Sequence, residues 1–423
     1  MPYARRFHVL VGLGVAAVLA VVLLRGWLAR SVTLANPSPP PEVVEEMIET
    51  STDRAAAIRA AWESGKIVHR EAAVNEILRG FGAREQLPAE LESITLAGAL
   101  DPDMDVRESS LQILQNRNHP MLASIAAALL RDPDPQVRIL GLDHLTHVGA
   151  NVGVPVVIPV LEDDDPLIVV KSLKLLERWG AGPFSVMLRE TTPIENEKTG
   201  LQDFPDGSRE KAKAGAALAL EWWTDHRAQF PLVPLEIPGA VRAARKPVAA
   251  GEFALRALDG RRVRLADFRG KIVLINFWTT WCPACVSEMP DLIALQKRHL
   301  DQLVIIGVSL DFVPDEHGHI GGYPAVEEQG RSEPDHADAD RSRDALAKVR
   351  EKVARAVKAR NINYPILLDE QNEIGGRFNG GELPTTVIID ANGNVRRRFI
   401  GARSLEVFAA MVEEAAKPAS DLP

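Results

Sequence analysis

Cysteine is nearly missing from this chain: 423 residues hold two, Cys282 and Cys285, three positions apart. So small a supply excludes a disulfide framework, and the size and core of the chain must hold it together instead. It also excludes a lipidated cysteine after the apolar run near the start. Basic residues are in deficit too. A net charge of −9 argues against a polynucleotide partner, whose phosphates call for a basic surface. What cysteine there is sits where an apolar run, Ile272-Val273-Leu274-Ile275-Asn276-Phe277-Trp278, passes into a helical pattern. That puts the first sulfur at a helix N-terminus, where unpaired N–H groups and the macrodipole favour a thiolate. The chemistry indicated is redox.

The first segment sets the compartment. After Arg5-Arg6, residues 9–24 are apolar without a break, and Arg25, Trp27 and Arg30 follow. About 16 residues fall between a signal-peptide core and a span of roughly 17–25, so length leaves cleavage and anchoring both open. The expectation is an uncleaved single-pass anchor within residues 1–30, because Gly26-Trp27-Leu28 extends the run, Arg25 can snorkel and Trp27 suits the interface. Cleavage after Ala35 is the rival. A Pro-rich spacer, 31–50, follows, and the rest is expected at the cell membrane facing the periplasm or cell exterior.

Residues 51–229 read as an all-α domain. Asp101, Asp132 and Asp163 stand 31 apart, and Val106, Val137 and Ile168 keep the same step, as do Leu111, Leu142 and Leu173. Turns of Asp and Pro between apolar periodic stretches mark helix–turn–helix units that bury their apolar faces on one another, an α-solenoid. It resembles HEAT-like repeats of a short kind, with Val106-Arg107 and Val137-Arg138 just after the turns. Its functional reading is a surface for a protein partner, and the plainer one is a spacer. A last unit at 208–223 is expected to cap the stack with Trp222-Trp223. His144 and His147, i and i+3 on one helix, lack a third ligand nearby and are expected on a solvated face. Prolines 231, 234, 238 and 247 make 230–250 an interdomain linker, across which few contacts are expected.

Residues 251–418 alternate strands with helices and end in an antiparallel hairpin, which describes a mixed α/β sheet covered on both faces. An insertion, 311–344, interrupts the pattern. Its His317, His319 and His336 among acidic residues read as a solvated loop, with helix only over 345–360, so no metal is expected.

The motifs of this domain run in order: Asp259-Gly260; Gly270-Lys271-x-x-Leu274-x-Asn276-Phe277-Trp278; Trp281-Cys282-x-x-Cys285-x-x-Glu288-Met289-Pro290; Leu383-Pro384-Thr385-Thr386; Ile389-Asp390-x-x-Gly393. Together they resemble the thioredoxin fold and, within it, the membrane-anchored TlpA-like disulfide reductases. The resemblance implies a redox disulfide between Cys282, the attacking thiol, and Cys285, which resolves the mixed disulfide. It implies that Glu288 is a nearby catalytic acid, and that Trp281, Leu383, the cis-proline Pro384 and Thr385 meet substrate. It implies protein disulfide substrates, a membrane electron donor, no cofactor, and a link to cytochrome c maturation as in relatives. Two positions depart from thioredoxin: Asn276 replaces a buried aspartate and cannot titrate, so Glu288 or water must take the proton of Cys285, and Ala284 replaces a proline. A peroxiredoxin-type thiol peroxidase would need proline at position 275, where Ile275 stands, although Thr279 fits its pattern. A non-enzymatic solenoid scaffold is the third reading, against which both cysteines and Pro384 stand.

Overall fold

In this computed structural model, residues 46, 48, 53–82, 86–184, 194–195, 202–203, 208–231, 233–244, 247–299, 301–312 and 336–418 are described. The expected anchor, most of the spacer and most of the insertion lie outside them. Among the described residues no helix is long and apolar enough to cross a membrane. Residues 39–423 form a single unit, and the other unit, 1–38, lies wholly outside the described residues.

The N-terminal helices are α1 (Arg54–Glu63), α2 (Ile67–Gly80), α3 (Ala89–Gly98), α4 (Met104–Asn116), α5 (Leu122–Leu129), α6 (Pro135–Leu145), α7 (Ala150–Val157) and α8 (Pro166–Arg178). The three Asp turns between them share one hydrogen-bond scheme. The first Asp of each accepts the N–H two residues on: Asp103 to Asp101 at 3.0 Å, Asp134 to Asp132 at 2.8 Å, Asp165 to Asp163 at 2.9 Å. The second Asp caps the next helix, Asp103 accepting from Asp105 and Val106, Asp134 from Gln136, and Asp165 from Leu167. Arginines then tie one turn to the next. Arg70 reaches Asp101 at 2.7 Å, and Arg138 reaches Asp163 at 2.8 Å. Helix α9 (Ser208–His226) packs Ala212, Ala216 and Ala219 among Val160, Leu173 and Leu176, with Trp222 and Trp223 half-buried against the same cluster.

His144 corrects its expectation. It is buried, its Nδ1 lies 2.8 Å from Gln115 Oε1, and loss of solvent pushes its pKa down to about 4. The i, i+3 spacing with His147 put both on one solvated stripe, but α6 is covered on more than one side, and only His147 is exposed.

The sheet of the second domain has eight strands. They are β1 (Val248–Ala249), β2 (Ala254–Ala257), β3 (Arg262–Arg264), β4 (Ile272–Trp278), β5 (Leu303–Ser309), β6 (Ile366–Leu368), β7 (Thr385–Ile389) and β8 (Asn394–Ile400). Their order is β1-β8-β7-β4-β5-β6-β2-β3, with β4, β5 and β6 parallel and the other pairs antiparallel. Every residue of β4 is buried, as a strand covered on both faces must be. Short helices α10 (Gly239–Ala244) and α13 (Glu373–Arg377) respectively precede the sheet and follow β6. One face carries α11 (Pro283–Arg298), α12 (His336–Ala359) and α14 (Leu405–Ala415). Helix α12 starts nine residues before the expected 345, inside the stretch read as loop. The other face buries Phe253, Ile374 and Phe378, and Ile67 from the first domain joins that cluster.

The expectation of few contacts between the domains is therefore wrong. Ile237, within the Pro-rich stretch, is buried among Leu100, Leu122 and Leu140, while Val248 and Ala249 pair with β8. Three arginines on and after β8 meet the Asp turns. Arg397 lies 2.9 Å from Asp132 and also pairs with Glu414; Arg398 lies 3.1 Å from Asp103 and 2.5 Å from Asp105; Arg403 lies 3.0 Å from Asp134. The Arg398 N–H donates to the carbonyl of Pro102 at 2.9 Å. Proline fixes local dihedrals and removes donors. It says nothing about whether the flanking surfaces touch.

Candidate active site

Strand β4 delivers the chain to the cysteines through a tight turn, Thr279 to Trp281. Buried Asp311 fastens that turn, accepting the Thr280 N–H at 3.0 Å and its hydroxyl at 2.5 Å, as well as the Ser309 hydroxyl at 3.0 Å. Cys282 is then the N-cap of α11, with Pro283 in the first turn, where a missing N–H costs nothing. Its Sγ accepts the Cys285 N–H at 3.1 Å, so a helix-terminal donor already faces the sulfur. The two sulfurs are bonded at 2.06 Å. Cys285 is fully buried, Cys282 is 5% exposed and Trp281 is 44% exposed, which makes Cys282 the sulfur within reach of a partner.

The other residues singled out in the sequence gather around this pair. Leu383 packs against the apolar cluster that contains both sulfurs, and the Leu383–Pro384 peptide is cis. Antiparallel register pairs Thr385 with Phe277 and Thr386 with Asn276, which brings Pro384 alongside Trp278, where the cysteine turn starts. Thr385 is buried and gives its hydroxyl to the carbonyl of Glu382, so Trp281 and Leu383 offer side chains outward while Thr385 does not.

Glu288 lies one turn beyond Cys285 and is buried. Asn276 donates to its Oε1 at 2.7 Å. Its Oε2 and the Asn276 Oδ1 have no hydrogen-bond partner among the described residues. Burial pushes the Glu288 pKa up to about 8, against the opposing pull of the Asn276 hydrogen bond and of Arg403. A carboxyl in that range is mostly protonated at neutral pH and exchanges its proton readily there. Asn276 thus holds the titrating group instead of being one. Burial, with Glu288 adding to it, holds the Tyr364 phenol above its ordinary value.

Three residues with roles at the site went unassigned in the sequence: Asp311, Tyr364 and Arg403. Each acts on a partner far away in the chain, and no local motif marks any of them. Among the described residues no group of three or more His, Cys, Asp or Glu is placed to hold a metal. His317 and His319 lie outside the described residues, and of His336 only the backbone is described.

A family model described as Redoxin matches residues 243–415. The thiol-disulfide oxidoreductase ResA of Geobacillus kaustophilus is 30% identical over 160 residues, covering 37% of this chain and 70% of that protein. The thioredoxin-like protein YneN of Bacillus subtilis is 31% identical over 152 residues, covering 36% of this chain and 69% of that one. Among solved structures, a thioredoxin-family thiol:disulfide interchange protein from Chlorobium tepidum is 27% identical and covers 40% of this chain and 97% of its own. Its TM-score is 0.28. The Redoxin match begins at 243, beyond the end of α9.

Proposed function

The chain belongs to the thiol-disulfide oxidoreductase family of ResA and YneN, and from that premise we propose that it is a membrane-tethered reductase of protein disulfides outside the cytoplasm. The observation that carries the reading is a Cys282–Cys285 disulfide at a helix N-terminus with a buried carboxyl near neutral pKa one turn away. In the reduced chain the Cys282 thiolate attacks one sulfur of a substrate disulfide. That bond breaks, one substrate thiolate leaves and takes a proton, and a Cys282–substrate disulfide forms. Cys285 then gives its proton to Glu288 in its ionised form, a minority at neutral pH that grows toward pH 8, while its sulfur attacks Cys282 Sγ; the second substrate thiolate leaves and takes that proton. Two electrons have passed, and the chain is left in the disulfide form. A membrane electron donor must return two electrons and two protons. Trp281, Leu383 and Pro384 border the sulfur that substrate meets. Residues 1–30 would tether the chain, and the HEAT-like helices would present a surface to a protein partner. Cytochrome c maturation is the setting that the resemblance suggests.

Trapping tests the assignment of sulfurs. Cys285→Ser should accumulate a mixed disulfide on Cys282 with a disulfide-bonded substrate, visible on non-reducing gels, while Cys282→Ser should trap almost none. Equal yields, or the reverse order, would remove Cys282 as the attacking thiol. The reduction potential fixes direction: values toward about −270 mV mean a reductant and toward about −120 mV an oxidant.

A further inference from the structure

One contact between the domains reaches the redox site. Arg403 follows β8, and its guanidinium meets Asp134 of the second Asp turn through two bonds, Nε to Oδ1 at 3.0 Å and Nη2 to Oδ2 at 3.2 Å. Its Nη1 turns back onto the carbonyls of Ile400, Gly401 and Ala402 at 3.2, 3.1 and 3.2 Å. The same guanidinium lies 4.8 Å above Phe399, which belongs to the apolar cluster that buries both sulfurs. One side chain therefore locks the conformation of 400–403 and fastens it to the repeats. That turn holds the site from two sides. The Gly401 N–H donates to the carbonyl of Pro384 at 2.8 Å, and Arg403 is near enough to Glu288 to pull its pKa down against burial.

From this geometry we infer that Arg403 is a positioning residue for the redox centre, through which Asp134 of the helical domain fixes both the cis-proline loop and the environment of Glu288. The inference rests on the dithiol reading above and adds a role for the helices within it: they complete the support of the site. Its chemistry is a matter of charge and placement. Glu288 faces the uncharged Asn276 from β4, Tyr364 from the segment before β6, Arg403 from the turn after β8, and Asp291 on its own helix, which in turn faces Glu406 of α14. Arg403 is the one cation among these groups. Its guanidinium favours the Glu288 carboxylate, whereas Asp291 and burial oppose it.

The test is the dithiol–disulfide potential of the full chain as a function of pH, measured against glutathione buffers. Its slope bends where a group coupled to the sulfurs ionises, and Glu288→Gln identifies the bend that belongs to Glu288. Arg403→Met alone would strand a buried Asp134 charge, so the informative variant is Arg403→Met combined with Asp134→Asn, which removes both charges and keeps the capping oxygen that Gln136 uses. The expected result is a bend moved upward by about one pH unit, a tenfold change in proton affinity, with Arg403→Lys holding it near the parent position. A role in folding alone would lower the melting temperature of the double variant and leave the bend in place, which would overturn the inference. A parent chain that exchanges no electrons with glutathione would overturn the dithiol reading itself, so the two failures are distinguishable.

Discussion

Glu288 keeps its proton into the neutral range because the fold removes water from the carboxyl, and the opposing pull of the Asn276 hydrogen bond and of Arg403 is too weak to offset that. This has a consequence for stability whose sign runs opposite to that of an ordinary paired carboxylate. Below the unfolded value near 4.5 both states hold the proton and Glu288 contributes nothing. As pH rises, the unfolded chain releases its proton first, so folding loses stability until the folded group also ionises near 8. Glu288→Gln removes that loss. The variant should match the parent at pH 4 to 5 and exceed it by a few kcal/mol at pH 8 to 9 in urea unfolding of the oxidised chain. A constant difference across that range would mean that Glu288 does not titrate from a buried state. Residues of this kind were partly legible in the sequence. Cys282, Cys285, Glu288 and Pro384 sit in contiguous motifs whose spacing carries meaning. Arg403 and Asp311 do not, since their partners Asp134 and Thr280 lie 269 and 31 residues away.

At the scale of elements, a 31-residue step was enough to mark the Asp turns at 101, 132 and 163 as stops between helices, because apolar positions recur in step on either side of them. The step did not show which face of the turns is used. The acidic residues of the first two turns, which stop one helix and cap the next, also meet arginines on and after β8, and a pattern read along one domain cannot reveal the surface of another. The start of α12 is hard to see for a local reason: Asp338 and Asp340 stand near its first residue, which suits a first helical turn as well as a loop. Close approach of paired helices gives a direct test of the packing. At Gly141 in α6 an added Cβ would lie 2.8 Å from the backbone carbonyl of Ala126 in α5 and 3.1 Å from Leu130 Cδ2. Main chain cannot step aside as a side-chain tip can. Gly141→Ala should therefore separate α5 from α6 and cost about 1–3 kcal/mol in chemical denaturation, although alanine is the better helix former by about 1 kcal/mol. A variant as stable as the parent would show that the helices do not approach this closely.

In the whole molecule, the helical domain and the redox domain are joined by buried charge. Arg398 and Asp103 are both inaccessible to solvent, and Arg398 also donates to Asp105 and to the carbonyls of Phe378 and Asn379. Burial works against the Arg398 charge, yet Asp103 and Asp105 hold its pKa above the ordinary value. Asp103 itself is pushed up to about 6 by burial, with Arg398 pulling it back down. Excising residues 248–418 would open this surface together with the apolar cluster that Ile67 covers, so the excised domain should unfold more easily than it does within the chain. Arg398→Met isolates the charge. It leaves Asp103 buried without its cation, and at pH 8 the loss should be about 3–5 kcal/mol in urea unfolding of the full chain. The loss should shrink toward pH 5. Without Arg398 the folded Asp103 is protonated over a wider range, and a neutral carboxyl no longer bears the cost of a stranded charge. Adding Asp103→Asn should recover part of the stability at pH 8 and abolish that pH dependence. Should Arg398→Met unfold at the parent's urea midpoint at both pH values, the Asp turns would not be what holds the redox domain.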